Sequence, residues 1–189
     1  MKKSFYLQAV LGLTAILFLY GCAGTLPVTY VPQNFARYHG NIDIGRFTYE
    51  PADQGLVKPN QIQNTALGQI YIGANVSDFV QRATAAELEK TGFNISDQNP
   101  IQLTGEVLEF KADDLGYSVD WSYSIRYILT RKNDSTVLLN KVYIAEPKKT
   151  GKFSRSASDY SPSVNEMVLS GYDKFIRDNE VRNIFANSR

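Results

Sequence analysis

Chemistry needs side chains that can attack, carry a proton or hold a metal, and this sequence has few of them in useful company. His39 is the sole imidazole and Cys22 the sole thiol in 189 residues. One cysteine cannot close a disulfide within the chain, and one His with one Cys cannot build the multidentate sets that hold zinc. No GxSxG elbow offers His39 a serine to activate. In Tyr38-His39-Gly40, at the start of a strand, it reads as a structural or solvent-facing residue. Asp113, Asp114 and Asp120 could meet across a hairpin and attract a divalent cation, yet they lack the spacing of a calcium loop. A solvated turn is the simpler reading, and Glu106 and Glu109 read as solvent-side strand charges. With no P-loop or GxGxxG cradle either, the expectation is no catalytic residue, no metal and no cofactor.

Two further groups point to binding. Tyr117, Trp121, Tyr123 and Tyr127 form an aromatic row that suits sugar stacking or a lipid cleft. Their alternation with Val119, Ile125 and Leu129 favours the covered face of a sheet, with Tyr117 and Trp121, nearest the strand's start, the two best placed to touch a partner. Arg131-Lys132, Lys141, Lys148, Lys149, Lys152 and Arg155 gather around the last hairpin and the serine-rich segment after it. On one side they would form a basic patch for phosphate-bearing lipid or an acidic partner; dispersed, they protect sheet edges against pairing. Lys148 and Lys149 join Tyr117 and Trp121 as candidate contacts. Twenty basic against nineteen acidic residues give +1, which argues against nucleic acid.

The N-terminus indicates where this chemistry would happen. Lys2 and Lys3 precede an apolar run from Phe5 to Leu19, too short to span a membrane comfortably, which ends in Leu19-Tyr20-Gly21-Cys22. That ending resembles the lipobox of bacterial lipoproteins. The resemblance implies that residues 1–21 are a removed leader and that Cys22 carries the lipid and becomes the first mature residue. Tyr20 departs from the usual small or β-branched residue. Ala23 stands where an Asp would favour inner-membrane retention, so the resemblance implies an outer-membrane protein facing the periplasm. Residues 22–37, with Gly24, Pro27 and Pro32, read as a lipidated tether, and residues 38–189 as one domain.

Within that domain, Ile42, Ile44, Phe47 and Tyr49 mark a strand with an irregularity at Gly45-Arg46. Residues 52–63 read as a loop and 69–73 as a short strand. A helix follows, capped by Asn75 or Ser77 and stopped by Gly92. Phe93-Asn94-Ile95 starts another strand. Strands over 101–110, 117–130 and 136–145 form an antiparallel meander, the middle one alternating over more than a dozen residues. Pro162 opens a last helix, carried by Val164, Met167, Val168, Tyr172, Phe175 and Ile176, and the tail over 180–188 adds a further turn or two. The order β-β-α-β-β-β-β-α predicts an α+β two-layer sandwich, a mostly antiparallel sheet with two helices on one face.

In this order the chain resembles the YajG family of small bacterial lipoproteins. The likeness rests on the lipobox, Glu89-Lys90-Thr91-Gly92-Phe93, Ile101-Gln102-Leu103, the strand over 119–130 and the closing Asn183-Ile184-Phe185-Ala186-Asn187. More distantly it is similar to auxiliary lipoproteins of lipid transport and lipopolysaccharide assembly. The resemblance implies an outer-membrane lipoprotein and brings no catalytic residue with it. The functional expectation is a non-enzymatic accessory module that binds an envelope protein. The alternative is a lipid- or glycan-binding lipoprotein with a helix–sheet cleft; an envelope hydrolase is a distant third. Oligomeric state is left open.

Overall fold

The computed structural model describes residues 24–33, 37–65, 69–152 and 157–186; the leader, the lipobox residues Leu19, Tyr20 and Gly21, and Cys22 lie outside them. The elements are β1 (Gly24–Leu26), β2 (Gly40–Tyr49), α1 (Glu50–Asp53), β3 (Gln61–Asn64), β4 (Ile70–Ile72), α2 (Val76–Thr91), β5 (Phe93–Ile95), β6 (Ile101–Asp113), β7 (Ser118–Arg131), β8 (Thr136–Ile144), β9 (Lys148–Gly151), α3 (Ser161–Ile176) and α4 (Asn179–Ala186), with a 3₁₀ turn at Ala157–Tyr160 before α3.

The long strands β6 and β7 are the spine. They pair antiparallel from Ile101↔Arg131 to Asp113↔Asp120. Along the other edge of β6 lie two strands in succession, both parallel to it: β2, through Asp43↔Gln102 to Tyr49↔Val107, and then β3, through Gln63↔Lys111. The outer edge of β7 is shared in the same way by β8 and β9. β5 adds to β2, while β4 and then β1 add to β3, giving nine strands among the described residues. The sheet is open, and its longest pairings are antiparallel.

Period-two alternation decides which side is covered. Val119, Trp121, Tyr123, Ile125, Tyr127 and Leu129 are all buried, as are Ile101, Leu103 and Val107 on β6. Beyond Val107 that parity would turn Glu109 and Lys111 inward. A register shift between Val107 and Glu109 reverses it, so Phe110 and Ala112 are buried instead. A second shift, between Ile44 and Phe47, keeps Phe47 and Tyr49 inward on β2, and the Gly45 carbonyl there accepts a 2.9 Å hydrogen bond from Gln81 of α2.

α2 and α3 cover that face, α2 over β2 and β5, α3 over β7 and β8. α2 buries Val76, Phe79, Val80, Ala83 and Leu88 and stops at Gly92, whose φ of 112° is the left-handed value that favours glycine. α3 has Pro162 in its first turn and packs Tyr172 and Phe175 against the sheet. Tyr127 meets Phe175 at 4.5 Å between ring centroids and shares a 3.0 Å hydrogen bond with Thr84. The helix–sheet interface is therefore filled with side chains.

Three segments differ from the sequence reading. The loop expected over 52–63 contains the end of α1 and the strand β3, with Gln61 and Ile62 buried. The serine- and lysine-rich segment after β8 contains β9. The tether expected over 22–37 is, from Gly24 to Gln33, part of the domain: β1 pairs with β4, Leu26 is in the core, and Val28 and Tyr30 pack against it. Short strands that add to an existing edge draw on backbone hydrogen bonds, which leave no hydrophobic period to read.

Candidate functional site

The N-terminal strap is held by side chains of both long helices. Ser161 donates to the Pro27 carbonyl at 3.1 Å and Asn165 to the Thr29 carbonyl at 2.9 Å. On the other side, the buried Glu87 carboxylate accepts from the Tyr30 hydroxyl at 2.6 Å and from the Gln33 amide at 2.9 Å. Burial, then the hydrogen bond to Glu87 and its charge, push the Tyr30 phenol well above its ordinary pKa, so it remains a neutral donor.

Tyr117 and Trp121, which the sequence places together, are separated by the structure. Trp121 is 2% exposed and packs beside Tyr160, so it belongs to the core with Tyr123 and Tyr127 and is out of reach of a surface partner. Tyr117 is 85% exposed in the turn between β6 and β7, two residues from Leu115 at 73%. The parity of β7 aims both residues at one face, but Tyr117 precedes the first paired residue, Ser118, where the sheet no longer dictates direction.

The lysines are dispersed as well. Lys148 pairs with Glu166 of α3, Lys149 with Asp120 at 3.0 Å, Lys141 with Asp178 and Glu180, and Lys132 with Asp43 at 2.9 Å. These pairs lie on both faces and toward both ends of the sheet, so the described lysines form no single basic patch; Arg155 is outside the described residues. Asp113 and Asp120 do lie opposite each other, as a hairpin predicts. Each is occupied separately, Asp113 by the Thr65 hydroxyl at 2.6 Å and Asp120 by Lys149 and the Ser118 hydroxyl. Those hydrogen bonds hold both carboxyls below their usual pKa range. Among the described residues no three His, Cys, Asp or Glu side chains are grouped as metal ligands would be.

His39 is exposed on the rim of a cleft of about 270 Å³ at the end of the domain where β2 and β5 begin. Phe93, Ile176, Val181 and Phe185 supply apolar walls, and Arg37 and Arg182 stand with His39 around them. The volume is near the lower limit of small-molecule pockets. Sequence reasoning singled out His39 without the cleft, because β2, β5, α3 and α4 are brought together only by the fold.

β8 carries the other exposed feature. Leu139 and Tyr143 point into the core, while Val137, Val142 and Ile144 are 55%, 40% and 63% exposed. Among the described residues its outer edge pairs with no strand. Sheet edges are usually blunted by charge, above all by lysine. The one lysine of β8, Lys141, faces the helices and is bound by Asp178 and Glu180, each at 2.8 Å. The edge is left with apolar and uncharged side chains, including Thr136 and Asn140.

No protein-family model and no curated protein matches the sequence. Solved structures do match the fold. A DUF330 protein of Xanthomonas campestris superposes with a TM-score of 0.63 at 8% identity, covering 89% of this chain and 100% of that one. A hypothetical protein of Chlamydia trachomatis gives 0.51 at 10% identity, over 77% and 98% of the two chains. A lipoprotein of Neisseria meningitidis gives 0.41 at 10%, over 74% and 99%. The fold is an α+β two-layer sandwich of the kind seen in the first two. Among the described residues no helix is long and apolar enough to cross a membrane.

Proposed function

We propose that the chain is a lipid-anchored outer-membrane lipoprotein whose α+β domain acts without catalysis, as an accessory module that binds another envelope protein through strand β8. The lipid anchor rests on the leader, on Cys22 at the end of Leu19-Tyr20-Gly21 and on the resemblance to YajG lipoproteins; the outer membrane rests on Ala23. The observation that carries the binding role is the outer edge of β8, nine residues long and unpaired among the described residues, with Val137, Val142 and Ile144 turned outward and no charge facing them from the strand itself. An extended segment of a partner would complete the ladder with main-chain hydrogen bonds, and those side chains would set the specificity. Trp121, Tyr123 and Tyr127 of the aromatic row are core, so a lipid or glycan reading would have to use a surface cleft such as the small apolar one beside His39.

Crosslinking the intact protein in its own envelope, with Cys22→Ala as the delocalised control, tests the reading. A discrete protein partner, recovered with the parent and lost with the control, is the expected result. Recovery of lipid or glycan alone would overturn it in favour of the ligand carrier.

A further inference from the structure

We infer that the turn between β6 and β7 is a membrane-contacting tip, with Leu115 and Tyr117 inserted into the leaflet that holds the lipid on Cys22. The inference rests on the proposed lipidation and adds to it an orientation of the domain on the bilayer.

It starts from where the chain leaves the domain. β1 runs parallel to β4, β4 antiparallel to β3, and β3 parallel to β6, so β1 is antiparallel to β6 and begins at the end where β6 finishes. The register is specific: Gly24 lies beside Ile70, Ile70 beside Ile62, and the next residue, Gln63, beside Lys111. Gly24 is thus level with Phe110, three strands away, or about 14 Å across the sheet. Cys22 is two residues before Gly24, so its Cα lies within about 7 Å of it. Because residues 24–33 are strapped to the domain, no long tether intervenes between β1 and the anchor. An acylated Cys22 would bring this end of the sheet to the bilayer surface.

The same end carries the two most exposed large hydrophobic side chains among the described residues, Leu115 at 73% and Tyr117 at 85%, with only Gly116 between them. In water such a pair costs free energy; at an interface it does not, and tyrosine suits the boundary, with an apolar ring and a polar tip. The turn is built to present them. The Asp113 carboxylate accepts from the Thr65 hydroxyl and the Leu115 amide, Asp114 donates its amide to Thr65, and Lys152 donates its amide to the Tyr117 carbonyl. Among the described residues Lys111 and Lys149 pair with Asp113 and Asp120, and Lys152 acts on Asp113 as well, so these lysines present no unbalanced charge to anionic headgroups. The tip's contact is apolar and insensitive to salt. With the tip in the membrane, β7 carries the β7–β8 hairpin about 45 Å into the periplasm. The β8 edge and the cleft beside His39 then face away from the bilayer.

The test uses the full-length lipoprotein in vesicles of three parts phosphatidylethanolamine to one part phosphatidylglycerol. Single cysteines are introduced by Leu115→Cys, Tyr117→Cys and, at the far hairpin, Asn133→Cys; acylation leaves Cys22 without a free thiol. Each is labelled with an environment-sensitive fluorophore and challenged with lipid-borne spin-label quenchers, while the mass of the N-terminal peptide reports acylation. All three positions are exposed, so labelling leaves the core undisturbed. The expected result is emission shifted to the blue, and quenching at least threefold stronger, at 115 and 117 than at 133, unchanged by salt. Equal, water-like signals at all three positions in an acylated protein would overturn the membrane tip and leave the lipoprotein reading standing. An unmodified Cys22 would overturn both.

Discussion

The Tyr30 hydroxyl and the Glu87 carboxylate, fifty-seven residues apart in sequence, meet at 2.6 Å, and that partly buried bond clasps the N-terminal strap to α2. Glu87 has no exposed surface and also accepts the Gln33 amide. Replacing it leaves two donors without their acceptor, at about 1–3 kcal/mol each. Glu87→Ala should therefore destabilise the domain by about 3 kcal/mol in urea, and Tyr30→Phe by about 1 kcal/mol. Equal, negligible effects would mean that the strap contributes nothing to the fold.

Asp178 ties α4 to β8. Burial alone would raise its pKa, but hydrogen bonds from Lys141, the Glu180 amide and Tyr143 outweigh burial and hold the carboxyl below its usual range. The folded pKa is thus below the unfolded value of about 3.9, so the stabilisation is complete above that value and is lost as pH falls through the folded one. Asp178→Asn should cost about 1–2 kcal/mol at neutral pH, and the gap between variant and parent should close below about pH 4. A gap constant down to pH 2 would contradict this account of the site.

Gly105 sits under Phe47: a Cβ there would lie 2.5 Å from the Phe47 ring. Phe47 is itself packed against Tyr127 and cannot swing away without disturbing the core. Gly105→Ala should cost about 1–3 kcal/mol. Gly73→Ala, where nothing lies within 4 Å, should stay within about 0.5 kcal/mol of the parent, and thermal melts of the pair measure the contrast.

The parts of this fold that were legible in the sequence are those where one face is buried over many residues. β7 could be read because each inward position from Val119 to Leu129 is apolar and all but one of its outward neighbours is polar. The exception, Ile128, lies on the open face, opposite Asn140 of β8. α2 could be read from its stripe and Gly92, and the bulge in β2 from the break at Gly45-Arg46. β9 was missed because Lys148-Lys149-Thr150-Gly151 has no apolar residue, and β3 because Gln61-Ile62-Gln63-Asn64 has one. The aromatic row was legible as core; that Tyr117 leaves it depends on where pairing begins. The exposed edge of β8 was not legible, since Val137, Val142 and Ile144 look like core residues until the sheet shows which face is open and that Lys141 is engaged beneath it.

The account stands most directly on that edge. Val142→Lys with Ile144→Lys places two charges on exposed positions of β8, where the effect on stability should stay within about 1 kcal/mol. The decisive measurement is recovery of the envelope partner by crosslinking, compared between this variant and the parent at equal abundance and equal unfolding midpoint. The account predicts at least a tenfold loss. Undiminished recovery would show that the partner is held elsewhere, and the β8 edge would no longer be its binding site.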